Sequence, residues 1–374
     1  MRHCDALIIG GGPAGASAAI LLARAGRSVV VLEKAAFPRR KVCGEFIAAG
    51  GIEHLRRLGV GERFEAAAGP EIRRIAVWAA GATRLEAPLP RRRRGAPYPR
   101  ALEREALDAL LLEHAVRCGA EVLQPARALA LTRVRGGFAC AAAARRGAAA
   151  FEIHARAVIA AHGSWEPGAL ATQPPHLTPA PGDLLAFKAH LRGSLPDRTI
   201  VLAPFAGGYA GLVARGGGRV TYACCLRRDA FERLRVPGLP AGESVFPFRD
   251  FVREGAWLAA GPLRPGTRPL YRDGVFAIGN AAGEPHSVVG EGIAMAMHSA
   301  ALLCGPLAAA LAEGYPPQAG RAVARRYAWR WRRDMGFKLW ASARLAALAM
   351  QPASIAGRIL AHAPAMLTLA ARLK

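Results

Sequence analysis

Glycines at positions 10, 12 and 15, with a glutamate at position 33, are the residues whose spacing points most directly at chemistry. They lie in Ile8-Ile9-Gly10-Gly11-Gly12-Pro13-Ala14-Gly15, an apolar strand that breaks into a turn ahead of an alanine-rich helix. That spacing lets the backbone turn tightly, approach a pyrophosphate, and aim the N–H groups of the following helix at it. The next apolar run, Ser28-Val29-Val30-Val31-Leu32-Glu33, ends in a carboxylate where a ribose hydroxyl acceptor belongs. Three glycines alone are a weak signal. Framed by strand, helix, strand and Glu33, they predict a dinucleotide site.

A second motif, far down the chain, narrows the choice of dinucleotide. The strand-like run Val275-Phe276-Ala277-Ile278 ends in Gly279-Asn280-Ala281-Ala282-Gly283. The stretch Glu284-Pro285-His286-Ser287-Val288-Val289-Gly290-Glu291-Gly292 follows, with a helix expected from about Ile293. A nicotinamide dehydrogenase needs no such late element. FAD does, because a second strand–turn–helix must hold its ribityl chain and bring backbone N–H groups to the ring. The pattern resembles the FAD-dependent oxidoreductase superfamily of geranylgeranyl reductases, aromatic-ring hydroxylases and flavin-dependent halogenases, and most closely its geranylgeranyl reductase-like branch. The resemblance covers residues 5–305.

It implies FAD contacts from Gly10, Gly12, Pro13, Ala14, Gly15, Glu33 and Lys34 in the first motif, and from Gly279, Asn280, Gly290, Gly292 and Ile293 in the late one. Asn280 stands where the family usually has Asp, which keeps a hydrogen-bonding role but removes a charge. Lys41-Val42-Cys43-Gly44 is similar to the branch's flavin-proximal Lys-x-Cys-Gly segment, and Arg100 to the arginine that heads a phosphate-contacting helix. Gly163 follows His162, which replaces a hydroxylase Asp, and Tyr209 falls in a run similar to a substrate-sheet strand.

Two residues are candidates for catalysis. Cys43 would donate a proton or position substrate if neighbouring Arg39, Arg40 and Lys41 lower its pKa; the competing reading is a small apolar filler. His286, expected to face the flavin, would act as an acid or substrate anchor, against a structural loop histidine. Glu291 reads as a loop-stabilising carboxylate. Trp329-Arg330-Trp331 lacks the Ile-Pro that halogenases carry, and Ser287 stands where hydroxylases place a proline. These features point to an FAD-dependent enzyme that reduces or dehydrogenates a C=C bond of an apolar isoprenoid, lipid or polyketide-type substrate. A monooxygenase of an aromatic or polyketide ring is the alternative, and a flavin-carrying docking protein without turnover a third. No separate nicotinamide motif is evident, so the electron donor is NAD(P)H or a reduced protein partner.

The elements that must position these residues predict an α/β fold. A Rossmann-like, glutathione reductase-type FAD domain carries an inserted antiparallel β-sheet substrate domain and a helical C-terminal tail. The segments are 1–75, 101–170 and 269–335 for the FAD domain, 76–100 and 171–268 for the substrate domain, and 336–374 for the cap. Within the FAD segments, the alternation over 126–153 predicts a meander that returns to the nucleotide sheet.

At 52% hydrophobic and 21% charged residues the chain is globular. Its 51 basic residues against 27 acidic give a formal charge of +24, which suits an acidic electron-donor or carrier protein or an anionic lipid surface. The run Arg91–Arg94 has no interleaved aromatics to stack bases, which argues against nucleic acid. Seven scattered cysteines form neither a disulfide framework nor a metal clip, and predict a reducing, cytoplasmic setting. Residues 293–312 are apolar enough for a membrane span but follow the late motif directly, so a helix packed under the flavin is expected. In the tail, Leu339, Trp340, Leu345, Leu348, Ile355, Ile359, Met366 and Leu369 recur at helical spacing among arginines. That pattern fits a cap over the substrate cavity, or a basic amphipathic surface that makes peripheral contact with the inner face of a membrane; the cap is favoured.

Overall fold

The computed structural model describes residues 2–79, 82–89, 91, 93–144, 147–164, 166–176, 178–235 and 250–351. The central strands of its first sheet are built on buried apolar runs. Arg2–Ile9 pairs in parallel with Val29–Leu32 on one side and Phe151–Ala160 on the other. Val29–Leu32 continues to Glu121–Leu123, and Phe151–Ala160 to Val275–Ala277, again in parallel. All four residues of Val29–Leu32 are buried, as strands covered on both faces must be. The predicted meander is present: Arg127–Val134 pairs with Gly137–Ala143, which pairs antiparallel with Phe151–Ala160. The two glycine motifs thus leave strands of one sheet on either side of Phe151–Ala160, although they are far apart in sequence.

Helices Pro13–Arg24, Arg104–Arg117 and Gly292–Ala312 cover one face of this sheet. Gly292–Ala312 is long and apolar enough by itself to cross a membrane. Here Met295, Met297, Leu303 and Leu307 pack into the main core, against the helix Pro13–Arg24 and the C-terminal helix Ala319–Ala349.

Among the described residues the second sheet has seven strands, in the order Val252–Leu263, Leu184–Arg192, Arg219–Arg227, Gly208–Gly216, Thr199–Phe205, Arg74–Ala79 and Ala82–Pro88. It departs from the expected antiparallel sheet at one seam, because Thr199–Phe205 pairs in parallel with Arg74–Ala79. The cause is connectivity: Arg74–Ala79 enters from a distant part of the chain and is not joined to its neighbour by a hairpin. Cys224 and Cys225 are both buried and contribute to different core clusters, as adjacent strand residues should.

No helix boundary falls at 336, because Ala319–Ala349 runs unbroken through it. The end of this helix does cap the second sheet. Ala346, Ala349 and Met350 pack with Tyr209, Leu184 and Cys225, and Gly207 N donates to Met350 O at 2.8 Å. The predicted tail contacts beyond it, from Ile355, Ile359, Met366 and Leu369, lie outside the described residues. The seven cysteines are free thiols in this structure.

Candidate active site

A cavity of ≈ 630 Å³ runs from the first glycine turn to the inner face of the second sheet. At its nucleotide end, Gly10 has φ +111°, and a Cβ there would lie 2.5 Å from Ala161 O, so only glycine fits this close strand approach. Both Glu33 carboxylate oxygens already accept backbone N–H groups, from Gly11 at 2.7 Å and Ala35 at 3.0 Å. These bonds hold the carboxylate against the turn with lone pairs to spare for a ribose hydroxyl. The helices Pro13–Arg24 and Gly292–Ala312 both begin on this cavity without a side-chain cap, and a Cβ at Gly292 would meet nothing within 4 Å. Two uncapped N-termini converging on one space form an anion-binding arrangement.

Gly10, Gly12, Pro13, Ala14, Glu33, Lys34, Lys41, Cys43, Gly44, Gly163, Tyr209, Gly279, Asn280, Gly290, Gly292 and Ile293 all line the cavity. Three expected site residues do not. Gly15 is a packing residue, since a Cβ there would lie 1.8 Å from Gly10 O. Arg100 sits in the short strand Arg100–Ala101, where it donates to Gly69 O at 2.8 Å and Glu65 O at 3.0 Å. The helix begins one turn later, so Arg104 is the guanidinium that reaches the glycine turn, 3.8 Å from where a Gly12 Cβ would be. His286 ties its backbone N–H to Ser342 of the C-terminal helix at 3.2 Å, and its neighbours Pro285, Ser287 and Val288 line the cavity in its place. Burial lowers the His286 pKa and leaves Nδ1 without a partner.

Arg104 makes a two-point ion pair with Asp108, at 2.7 and 2.6 Å. Lys41 lines the same region, and burial followed by the nearby Arg104 and Arg39 pulls its pKa down to about 8. Lys34 is held at the rim by Glu166. His162 donates from Nδ1 to Gly163 O at 2.9 Å and accepts from Thr172 at Nε2; burial takes its pKa down to about 4, so it is neutral and cannot replace an aspartate's charge.

The late loop recovers the carboxylate missing at position 280. Asn280 Nδ2 donates to Glu284 Oε1 at 2.9 Å, and Ser164 Oγ donates to Glu284 Oε2 at 2.6 Å. Burial raises the Glu284 pKa. Glu291 Oε2 is bound by Lys338 at 2.7 Å, in keeping with a loop-stabilising role.

Glu45, which sequence reasoning passed over, anchors the Lys41–Gly44 loop to the second sheet. Its oxygens receive Lys188 Nζ, Thr221 Oγ1 at 2.6 Å, the Arg104 N–H at 2.9 Å, and pair with His190 Nε2 at 3.0 Å. Burial pushes its pKa up, but His190, Lys188 and Thr221 outweigh that and bring it to about 2. The available signal was Lys188 and His190, which share one face of a strand that is otherwise apolar up to its final Arg192. Glu45 also has φ +59°, a strained value for a non-glycine residue, held by these four partners.

Residues 3–170 match the family model described as an FAD binding domain. Digeranylgeranylglycerophospholipid reductase 2 of Methanopyrus kandleri is 29% identical over 348 residues, covering 89% of this chain and 83% of that protein. Residues 3–170 thus resemble an FAD binding domain, and most of the chain resembles that reductase. A menaquinone reductase of Mycolicibacterium smegmatis is 47% identical over 58 residues, and that alignment spans only 14% of its length. The flavin-dependent brominase Bmp2 superposes with a TM-score of 0.76 at 18% identity, covering 100% of this chain and 93% of that one. PqsL, a probable FAD-dependent monooxygenase from Pseudomonas aeruginosa, gives 0.67 at 20% identity, covering 100% and 98%. At these identities the two structures establish the fold.

FAD is the cofactor of this flavoprotein, and the residues present fit it. Beyond the open glycine cradle, Arg39 Nε and Arg40 Nε and Nη2 are buried without hydrogen-bond partners and belong to side chains lining the cavity. Glu33 would take the ribose, the two helix N-termini with Arg104 the pyrophosphate, and the Gly279–Gly292 loop the remainder. Because the planar fork of Arg104 is fixed by Asp108, Arg104→Lys should weaken FAD binding about tenfold or more, whereas Arg100→Lys should change it less than about twofold. Titration of the apoprotein with FAD, followed by flavin fluorescence quenching, checks both.

Proposed function

We propose that this flavoprotein reduces, or in reverse dehydrogenates, a C=C bond in an apolar isoprenoid- or lipid-like substrate. The observation that carries this reading is the continuity of the cavity. The nucleotide end opens without a break onto an aliphatic wall that includes Ile75, Ile200, Leu202, Leu212, Val213 and Leu258. Such a wall accepts a hydrocarbon body and excludes water from the reacting carbons. The alignment with the Methanopyrus kandleri phospholipid reductase along most of the chain supports the same class.

When bound and already reduced by the electron donor, FAD would supply the hydride. The chain must then supply the proton for the other carbon. Cys43 is half-buried on the cavity wall, and its Sγ accepts the Glu45 N–H at 3.3 Å, leaving its own proton free to be donated. Arg104 lies beside it: burial alone would lower the Arg104 pKa, but Asp108 and then Cys43 raise it. A thiolate left after proton transfer would therefore face a cation, and is reprotonated from solvent. Tyr209 is buried, its pKa raised by that burial, and its hydroxyl is 3.0 Å from Ser287 Oγ, so it presents a neutral phenol that orients substrate. The electron donor is NAD(P)H or a reduced protein partner.

The test is anaerobic. Reduced holoenzyme mixed with a polyprenyl lipid should return oxidised flavin and a product two hydrogens heavier. Cys43→Ala should lower this turnover about a hundredfold while flavin reduction by the donor is unchanged. Product formation only in the presence of oxygen would replace the proposal with the monooxygenase reading. Flavin that no donor reduces, in a protein tightly bound to an acidic partner, would favour the docking reading.

A further inference from the structure

We infer that the outer face of the C-terminal helix Ala319–Ala349 is a docking surface for an anionic lipid bilayer. Trp329, Arg333, Phe337, Trp340 and Arg344 recur at helical spacing along one side of this helix. Trp329 is 62% exposed, Phe337 55% and Trp340 57%, the largest cluster of exposed aromatics among the described residues. Arg333 lies over the Trp329 ring at 5.0 Å, and Arg344 over the Trp340 ring at 5.7 Å. Phe337 and Trp340 stack with centroids 5.9 Å apart. The stripe is about 22 Å long at the rise of an α-helix.

The opposite face explains why the stripe is presented and not folded in. Val323, Tyr327, Trp331, Met335 and Leu339 on that face are buried in the main core. Of the two tryptophans in Trp329-Arg330-Trp331, only Trp331 fills the interior; Trp329 is left outside, held against Arg333. Stability does not require an exposed tryptophan, so the outer face is free to serve binding.

Charge selects the occupant. The helix has eight basic residues, at 321, 325, 326, 330, 332, 333, 338 and 344, against one acid, Asp334. Asp334 is already engaged by Arg333 at 2.7 Å and His298 at 3.0 Å, and Lys338 by Glu291. The whole chain carries +24. Aromatic rings that seat at headgroup depth, interleaved with guanidinium groups that meet phosphate, match an anionic membrane surface along the whole stripe. The same helix packs on the Ser287–Val289 segment of the cavity wall, so a docked molecule would hold its cavity close to the bilayer.

The test uses the holoprotein and vesicles of phosphatidylcholine with phosphatidylglycerol in equal parts. Cosedimentation is expected with these vesicles, with little on phosphatidylcholine alone, and it should weaken as salt is added. Vesicles brominated in the acyl chains should quench tryptophan fluorescence, and Trp329→Phe/Trp340→Phe should remove most of that quenching. Trp329→Ser/Phe337→Ser/Trp340→Ser should lower the partition coefficient about tenfold or more, and so should Arg333→Gln/Arg344→Gln, a change confined to the surface. The inference is overturned by failure to bind the mixed vesicles, or by equal binding of wild type and both variants. It is also overturned if wild type is a dimer in size-exclusion chromatography that the triple variant converts to monomer, since a second copy would then own the stripe.

Discussion

Gly15→Ala is expected to yield a protein that has lost FAD and melts well below wild type. The added Cβ would lie 1.8 Å from the Gly10 carbonyl oxygen and 3.2 Å from the Ala161 side chain. Neither neighbour is a flexible side chain that can swing aside. Gly10 N is bonded to Leu32 O at 2.8 Å, and Ala161 N to Ile9 O at 2.8 Å, so both contacts belong to the parallel sheet itself. Relief requires the helix Pro13–Arg24 to move off the sheet, which also displaces the N–H groups aimed into the cavity. Overpacking of a well-packed interior commonly costs about 1–3 kcal/mol, and a clash with fixed backbone belongs at the upper end. Displacing those N–H groups removes contacts to the pyrophosphate, and a loss of about 3 kcal/mol weakens FAD about a hundredfold. Flavin content after gel filtration and the melting temperature with and without added FAD measure the two effects. An alanine variant that keeps its yellow colour and its melting temperature would show that the helix is not held by this contact.

The same contact explains why the nucleotide end was so legible. A glycine demanded by a backbone contact leaves its mark on the sequence, since no other residue fits. Continuous apolar runs such as Val29–Leu32 likewise declare a strand buried on both faces, and the motifs at Gly10 and Gly279 follow two parallel strands of one sheet. The misreadings share another cause. Arg100 and Arg104 are both arginines at the head of a helix, and which one reaches the turn depends on where the first helical turn starts. That start is set by the pairing of Arg100–Ala101 with Phe46–Ile47, a contact between segments distant in sequence. His286 was placed by loop position, but the fixed point is its backbone bond to Ser342 in a helix 56 residues further on. The parallel seam in the second sheet is likewise a consequence of a remote strand. Legibility tracked how local the decisive contact was.

The least legible feature, the Glu45 anchor, should also be among the most consequential for stability. Its partners come from three places: the Arg104 N–H at the head of a helix, Lys188 and His190 on one strand, and Thr221 on the next. The glutamate and Lys188 side chains are each 1% exposed. Glu45→Gln keeps the volume but removes the charge that balances Lys188, and breaking a buried pair by neutralising one member costs about 3–5 kcal/mol. The loss should appear as a fall in the urea midpoint of the holoprotein. Adding Lys188→Met in the same chain should recover a large part of it, because the remaining uncompensated group is then gone.

The pH dependence has a definite sign. The Glu45 pKa is about 2 in the folded protein against an ordinary 4.5, so the unfolded chain binds the extra proton between those values. Its contribution is complete above about 4.5 and is lost as pH falls toward 2. Wild type should therefore lose stability more steeply than Glu45→Gln through that window, and the two curves should converge at its acid end. Because Glu45 also accepts from Arg104 and follows Cys43 and Gly44, the variant should loosen the loop that forms the cavity's inner edge. Turnover would then fall even in the fraction that stays folded and retains FAD. Parallel acid limbs for the two proteins would mean that Lys188 and His190 have another counter-charge, and the loop would have to be held by something other than this carboxylate.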